Sequence, residues 1–246
     1  RRGGSRSAWM RQLAAVFMHR PYHHMPRSAW AMAYLAALGH DAVDGDAVVA
    51  QELATLCEAA GAAPENVLRE WRSGVDGCSA DALPAAAYPV SSGVLKAFRK
   101  SPAYRSVVEA KLQMGSDAAM ELGNLYSAAL PAWLAAGLCD AATRDINLDD
   151  RDLLLLGYGS GDAAEAIPAR VTPGWREAAA AIDFRRALDG AVDLDRDEYA
   201  TLHDTGALDR ARDPALAGVV IDHIGTHQEH AFQDYGIAYY GYNGRL

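Results

Sequence analysis

Cysteine is scarce in this chain of 246 residues: Cys57, Cys78 and Cys139 are the only three, and no two of them form a CxxC pair. An odd, scattered set excludes a disulfide framework or a cysteine-rich zinc module and fits a reducing cytoplasm. Positive charge is also in short supply. Lys and Arg total 23 against 32 Asp and Glu, a net of −9, with no strongly basic segment. That balance argues against a non-specific nucleic-acid binder or a protein held on an anionic membrane. No apolar run approaches the roughly 20 residues of a bilayer-spanning helix, and no secretory leader pattern is recognisable. A cytoplasmic location is therefore expected. Phosphate loops of the GxxxxGK[ST] or GxGxxG type are missing as well. The opening stretch Arg1–Arg6 has no core character. Residues 1–12 are expected to be a disordered or truncated segment, and 13–246 to be one domain.

Apolar residues make up 50% of the chain, enough for one large core. Leu13–Met18 is a short apolar run closed by His19 and Pro21, the mark of a buried strand. Helical spacing runs from Ser28 to Leu38, with Gly39 as the expected stop. A helical insertion spans about 40–115, broken near Gly61 and by a Pro/Gly/Ser-rich loop from Gly74 to Gly93. Ala128–Leu138 reads as a helix buried between other elements. Leu153–Leu156 reads as a central strand ending in a glycine turn, with Ala164–Val171 as its return strand. Residues 175–189 and Glu198–His203 are helical, and Gly218–Ile224 and Ile237–Tyr242 are β-rich. The order predicts an α/β domain with a mixed sheet and no second core.

Several residues are placed for chemistry, each with a plainer alternative. His19 ends a buried strand, where α/β sheets bind ligands and an imidazole can donate to a carbonyl; it equally suits a capping or core histidine. Asn124, in Gly123-Asn124-Leu125-Tyr126, can present its amide to an acyl oxygen or simply cap the helix that follows. Gly157-Tyr158-Gly159-Ser160-Gly161 allows a close backbone approach to a ligand, or is a hairpin turn. His19, His23 and His24 lack a nearby carboxylate for a metal site. His223, His227 and His230 are interrupted by Gly225 and read as surface histidines. Asp193, Asp195, Asp197 and Glu198 lack the glycine and terminal glutamate of a calcium loop and read as a solvated helix start. No metal is expected.

Taken together and in order, Phe17-Met18-His19-Arg20-Pro21-Tyr22, Gly123-Asn124-Leu125-Tyr126-Ser127 and Gly157-Tyr158-Gly159-Ser160-Gly161 resemble the hydroxymethylglutaryl-CoA synthase family, the thiolase-like condensing enzymes, over its C-terminal half. The likeness runs from about residue 13 to the end. It implies the C-terminal half of a thiolase-like αβαβα fold, with a mixed five-stranded sheet, flanking helices and a helical insertion. It implies that His19 holds the thioester or keto oxygen of an acetoacetyl group. Asn124 would contact the acyl group, and Ser160 of the glycine turn would line the same pocket beside Tyr158.

Two departures from the family pattern stand out. His24 and Ser28 occupy positions where the family has lysines that hold coenzyme A, leaving Arg27 between them to supply charge. The family's nucleophilic cysteine and general acid/base glutamate belong to an N-terminal half that this chain does not contain. The resemblance therefore implies a partner half supplying Cys and Glu, a dimer of complete units, and a place in the mevalonate pathway of isoprenoid biosynthesis. No cofactor is implied, because coenzyme A thioesters are substrates. A condensing enzyme acting on acyl carrier protein, and a non-catalytic thiolase-fold binding subunit, are the alternatives.

Overall fold

A computed structural model of the chain describes residues 4–73, 88–159, 163–189, 192–206, 208 and 219–242. They divide into two compact units, Arg1–Gly190 and Ala191–Leu246, where the sequence pointed to a single core. In the first unit a three-stranded mixed sheet runs in the order β1 (Ala15–Met18), β2 (Asp152–Gly159), β3 (Ala163–Arg170). β1 lies parallel to β2, with Phe17 beside Leu155, and β3 returns antiparallel, with Ala166 beside Leu156. The chain between β1 and β2 is mostly helical, as a parallel connection requires.

Helices cover both faces of this sheet. One face meets α1 (Arg6–Gln12) and α2 (Met25–Val43), the helices that precede and follow β1, and Met18 and Leu156 share a cavity with Met25 and Ala29 of α2. α3 (Ala47–Ala59), α4 (Pro64–Ser73) and α5 (Pro89–Phe98) pack beyond α2. Pro102–Tyr104, the π-turn Arg105–Glu109 and Ala110–Leu112 continue as one helical segment into α6 (Ser116–Met120). The other face of the sheet takes α7 (Ala129–Thr143), whose Trp133 meets Phe17 edge-on at 5.8 Å between ring centroids. α8 (Trp175–Ile182) packs on α7, and α9 (Phe184–Leu188) follows. Trp30, Trp133, Tyr34 and Phe17 are fully buried, each contributing roughly 1.5–3 kcal/mol of apolar burial.

Glycine decides how closely these layers meet. A Cβ on Gly137 would lie 2.4 Å from Phe17 Cε1, so α7 reaches the sheet only because the side chain is missing. Gly115, at φ +65°, would place a Cβ 2.3 Å from the Gly137 nitrogen, a conformation and an approach open to glycine alone. Gly39 does not stop α2, which continues to Val43; there the glycine admits Trp71, 2.2 Å from where a Cβ would stand.

The segment expected to be disordered or truncated is partly ordered. Arg6–Gln12 forms α1 with Ser7 and Met10 buried. Asp41 of α2 holds it, accepting from Ser5 Oγ (2.7 Å), Arg6 N (2.9 Å), Ser7 N (2.8 Å) and Ser7 Oγ (2.7 Å). Burial would raise the Asp41 carboxyl, but these donors outweigh it and keep it well below the usual carboxylate range.

In the second unit α10 (Arg196–Thr205) begins with a capping box between Asp195 and Glu198, so the acidic run is a helix start. β4 (Val219–Ile224) pairs antiparallel with β7 (Ala238–Tyr242), and β5 (Gln228–Glu229) with β6 (Phe232–Gln233). The five expected strands thus exist as a mixed three-stranded sheet and a separate antiparallel pair. His223 lies on β4 and His227 beyond it, not on a shared helix. Among the described residues no helix is long and apolar enough to cross a membrane.

Candidate functional site

β1 and β2 are held in register past the last strand residue. His19 N–H donates to the Leu156 carbonyl at 2.8 Å, and Pro21 then turns the chain away. The His19 ring comes to 6.2 Å from the Tyr158 ring, centroid to centroid. Both line a cavity of about 460 Å³ at the C-terminal ends of the parallel strands, walled mainly by Met18, Met25, Ala29, Leu156, Ala164 and Ala166, with Glu165 at its side. An apolar cavity with a few polar groups suits an acyl chain whose carbonyl seeks a donor.

His24 occupies the N-cap position of α2 without a side-chain cap bond, and Arg27 lies in the first turn. The His23 and His24 rings meet edge-on at 4.9 Å, and His23 Nδ1 is buried with no hydrogen-bond partner among the described residues. Burial first, then repulsion from Arg27 and Arg20, lowers the His23 imidazole, which favours its neutral form. Arg20 is turned inward and buried. It donates to Ser116 Oγ (3.1 Å) and the Ser116 carbonyl (3.2 Å), and it stacks 4.8 Å over Trp133. It is therefore committed to the core, and Arg27, half-buried in α2, is the motif's remaining guanidinium.

Asn124 follows Gly123, at φ +64°, and is exposed. Its Oδ1 accepts from Tyr126 N–H at 3.0 Å, a local turn bond of the kind asparagine favours before a helix. Tyr126 itself sits at φ 52°. Asn124 is not among the residues lining the His19 cavity. Ser160 and Gly161 lie outside the described residues. The structure thus brings together His19 and Tyr158. Met25, Ala29 and Glu165 are cavity residues that the motifs did not single out; the pairing of Ala164 with Tyr158 and Ala166 with Leu156 is the signal that would have found the β3 members. Among the described residues no group of three or more His, Cys, Asp or Glu is arranged for a metal. Cys57 is buried, and burial pushes its thiol up; Cys139 is partly buried and donates to the Ala179 carbonyl.

No protein-family model matches the chain, and no curated protein matches it. Among solved structures it is similar to MvaS in complex with 3-hydroxy-3-methylglutaryl coenzyme A, with a TM-score of 0.56 and 23% identity over 96% of this chain and 42% of that one. The chain spans less than half the length of that protein. The likeness establishes the fold: a mixed α/β arrangement of thiolase-like type.

Proposed function

We propose that this chain forms the acceptor-binding part of a Claisen-type condensing enzyme of the hydroxymethylglutaryl-CoA synthase kind, completed by a partner half that carries the cysteine nucleophile and the glutamate base. The observation that carries the reading is His19, fixed by its own backbone at the end of a parallel strand and opening with Tyr158 into the apolar cavity. The thiolase-like fold supports it.

The chemistry divides between the halves. The partner's glutamate takes a methyl proton from an acetyl group held on the partner's cysteine. The carbanion attacks C3 of an acetoacetyl thioester, whose carbonyl oxygen His19 polarises by hydrogen bonding as negative charge builds on it. Water then cleaves the cysteine thioester, releasing hydroxymethylglutaryl-CoA with a free carboxylate and restoring the thiol. By the family resemblance Asn124 and Ser160 contact the acyl group, and Arg27 with His24 meets the coenzyme A phosphates. One observation favours a second carrier: with Arg20 drawn into the core, Arg27 is the motif's single outer guanidinium, and an acyl carrier protein needs no nucleotide grip.

The test uses the complete enzyme, both halves together. His19→Ala is expected to slow condensation by about 10²–10³-fold, the scale for losing one oxyanion donor, while acetyl transfer to the partner's cysteine stays near normal. Unchanged condensation would make His19 a structural residue and remove the reading.

A further inference from the structure

His19 and Tyr158 lie at the ends of their strands, and the cavity continues past them to Met18 and Leu156. On β3 the matching rungs of the same face are Ala164, beside Tyr158, and Ala166, beside Leu156. From one rung to the next is two residues, a step of about 6.6 Å. Across the cavity α2 presents Ala29, one turn after Met25. Ala29, Ala164 and Ala166 are all exposed, so the space in front of them is open. Three methyl groups thus line a slot between helix and strand that larger side chains would ordinarily fill to close the layers. Met18 and Met25 stand beside it, unbranched thioethers that adapt to ligands of different shape. The cavity holds about 460 Å³. A dry cavity of about 150 Å³ already takes benzene, with its six carbons, and an acetoacetyl group has only four.

We infer that the acyl site takes 3-ketoacyl thioesters with chains longer than acetoacetyl, the alkyl tail lying in the slot lined by Ala29, Ala164 and Ala166. The inference rests on the acyl-thioester reading of this cavity. With the C3 carbonyl at His19, each further methylene of the tail leaves water for the wall formed by Leu156, Ala166 and Ala29. A fully buried methylene adds about four-fold in affinity and a half-buried one about two-fold. His19 reads the keto group that every such chain shares; the alanines, by leaving the slot open, decide how long a chain is accepted.

Acetoacetyl-CoA, 3-ketohexanoyl-CoA and 3-ketooctanoyl-CoA are the probes, because they share the nucleotide, pantetheine and keto group and differ only in the tail. Calorimetric titration of the chain is expected to show affinity rising along the series, with 3-ketooctanoyl-CoA about ten-fold tighter than acetoacetyl-CoA. Ala166→Leu and Ala29→Leu each put an isobutyl group into the slot from an exposed position. Both variants should bind acetoacetyl-CoA within about two-fold of the unmodified chain, which also shows that they fold, while the gain with length disappears. Affinity that is flat or falls along the series in the unmodified chain, or a gain that persists in both variants, overturns the length preference and leaves the acyl-thioester reading standing. Binding of none of the three thioesters overturns the reading on which the preference rests.

Discussion

The main chain of His19 donates to the carbonyl of Leu156 at 2.8 Å, one residue beyond the last ladder pair, Met18 with Leu156. The backbone of the candidate donor is thus set by the sheet rather than by the loop that follows. Anything that shifts β1 along β2 moves His19 with it. What seats β1 from behind is Phe17, whose ring lies under Gly137 and against Trp133.

That seating predicts an asymmetric response to adding one methyl group. In Gly137→Ala the new Cβ would fall 2.4 Å from Phe17 Cε1, inside van der Waals contact, and the overpacked core should lose about 1–3 kcal/mol. Gly93→Ala is the control. It sits inside α5 with nothing within 4 Å of the added atom and should gain about 0.5–1 kcal/mol from the helix preference of alanine. Urea denaturation of the two variants checks both signs; equal effects would mean that α7 does not press on Phe17.

Asp41 predicts an acid-sensitive attachment of α1. Its carboxylate takes four protein donors besides Ser5 Oγ, two of them backbone N–H groups at the start of α1. Because the folded-state value is depressed, the stabilisation is present in full above the unfolded carboxylate range near pH 4 and is lost as pH falls through the folded value. Asp41→Ala should cost about 3 kcal/mol at neutral pH, since it strands buried donors. Trp9 fluorescence followed against pH checks it: the acid transition of α1 should vanish in the variant.

The strands around the site were legible because each is a continuous apolar run with a hard stop, Pro21 after β1 and the glycine turn after β2. Of the residues the ordered motifs single out, His19 and Tyr158 lie together at one end of the sheet, and Asn124 does not line their cavity. What was hidden depended on contacts between distant residues. Gly39 looks like a helix stop, yet its function is to admit Trp71 from another helix. Arg6–Gln12 has little apolar content, and its order comes from Asp41, more than 30 positions away. β4 and β7 were readable as strands, but nothing in their composition says that they pair with each other. Ala164 and Ala166 became cavity residues only once the β2–β3 register paired them with Tyr158 and Leu156.

Asp234 predicts a second pH effect, confined to the small unit. It accepts from His227 N–H at 2.7 Å, from the His227 ring at 3.0 Å and from Tyr239 Oη at 3.1 Å, while Gly225 leaves room for it to approach. Burial raises its carboxyl, but the His227 and Tyr239 hydrogen bonds outweigh this and the net shift is downward. The unit is therefore expected to be firm above the ordinary carboxylate range and to loosen as pH drops through the lowered value. Amide exchange at His227, slow at neutral pH, should accelerate on acidification and be fast at all pH values in Asp234→Ala. Uniformly fast exchange in the unmodified chain would show that the cluster does not hold the hairpin.

Arg27 separates coenzyme A from a carrier protein as the source of the acyl group. A 3′-phosphate and pyrophosphate need a fixed cation for firm binding. Arg20 cannot serve, because its guanidinium is bonded to Ser116 and stacked on Trp133 in the core. On the coenzyme A reading, the guanidinium left at this motif to meet the nucleotide is Arg27 in the first turn of α2. If coenzyme A is the carrier, Arg27→Ala in the complete enzyme should raise KM for acetoacetyl-CoA with little change in kcat, and the effect should shrink with added salt. KM for acetoacetyl-pantetheine, which lacks the phosphates of the nucleotide, should not move. If the unmodified enzyme uses both substrates equally well and Arg27→Ala alters neither, the nucleotide is not read, and the carrier-protein reading takes its place.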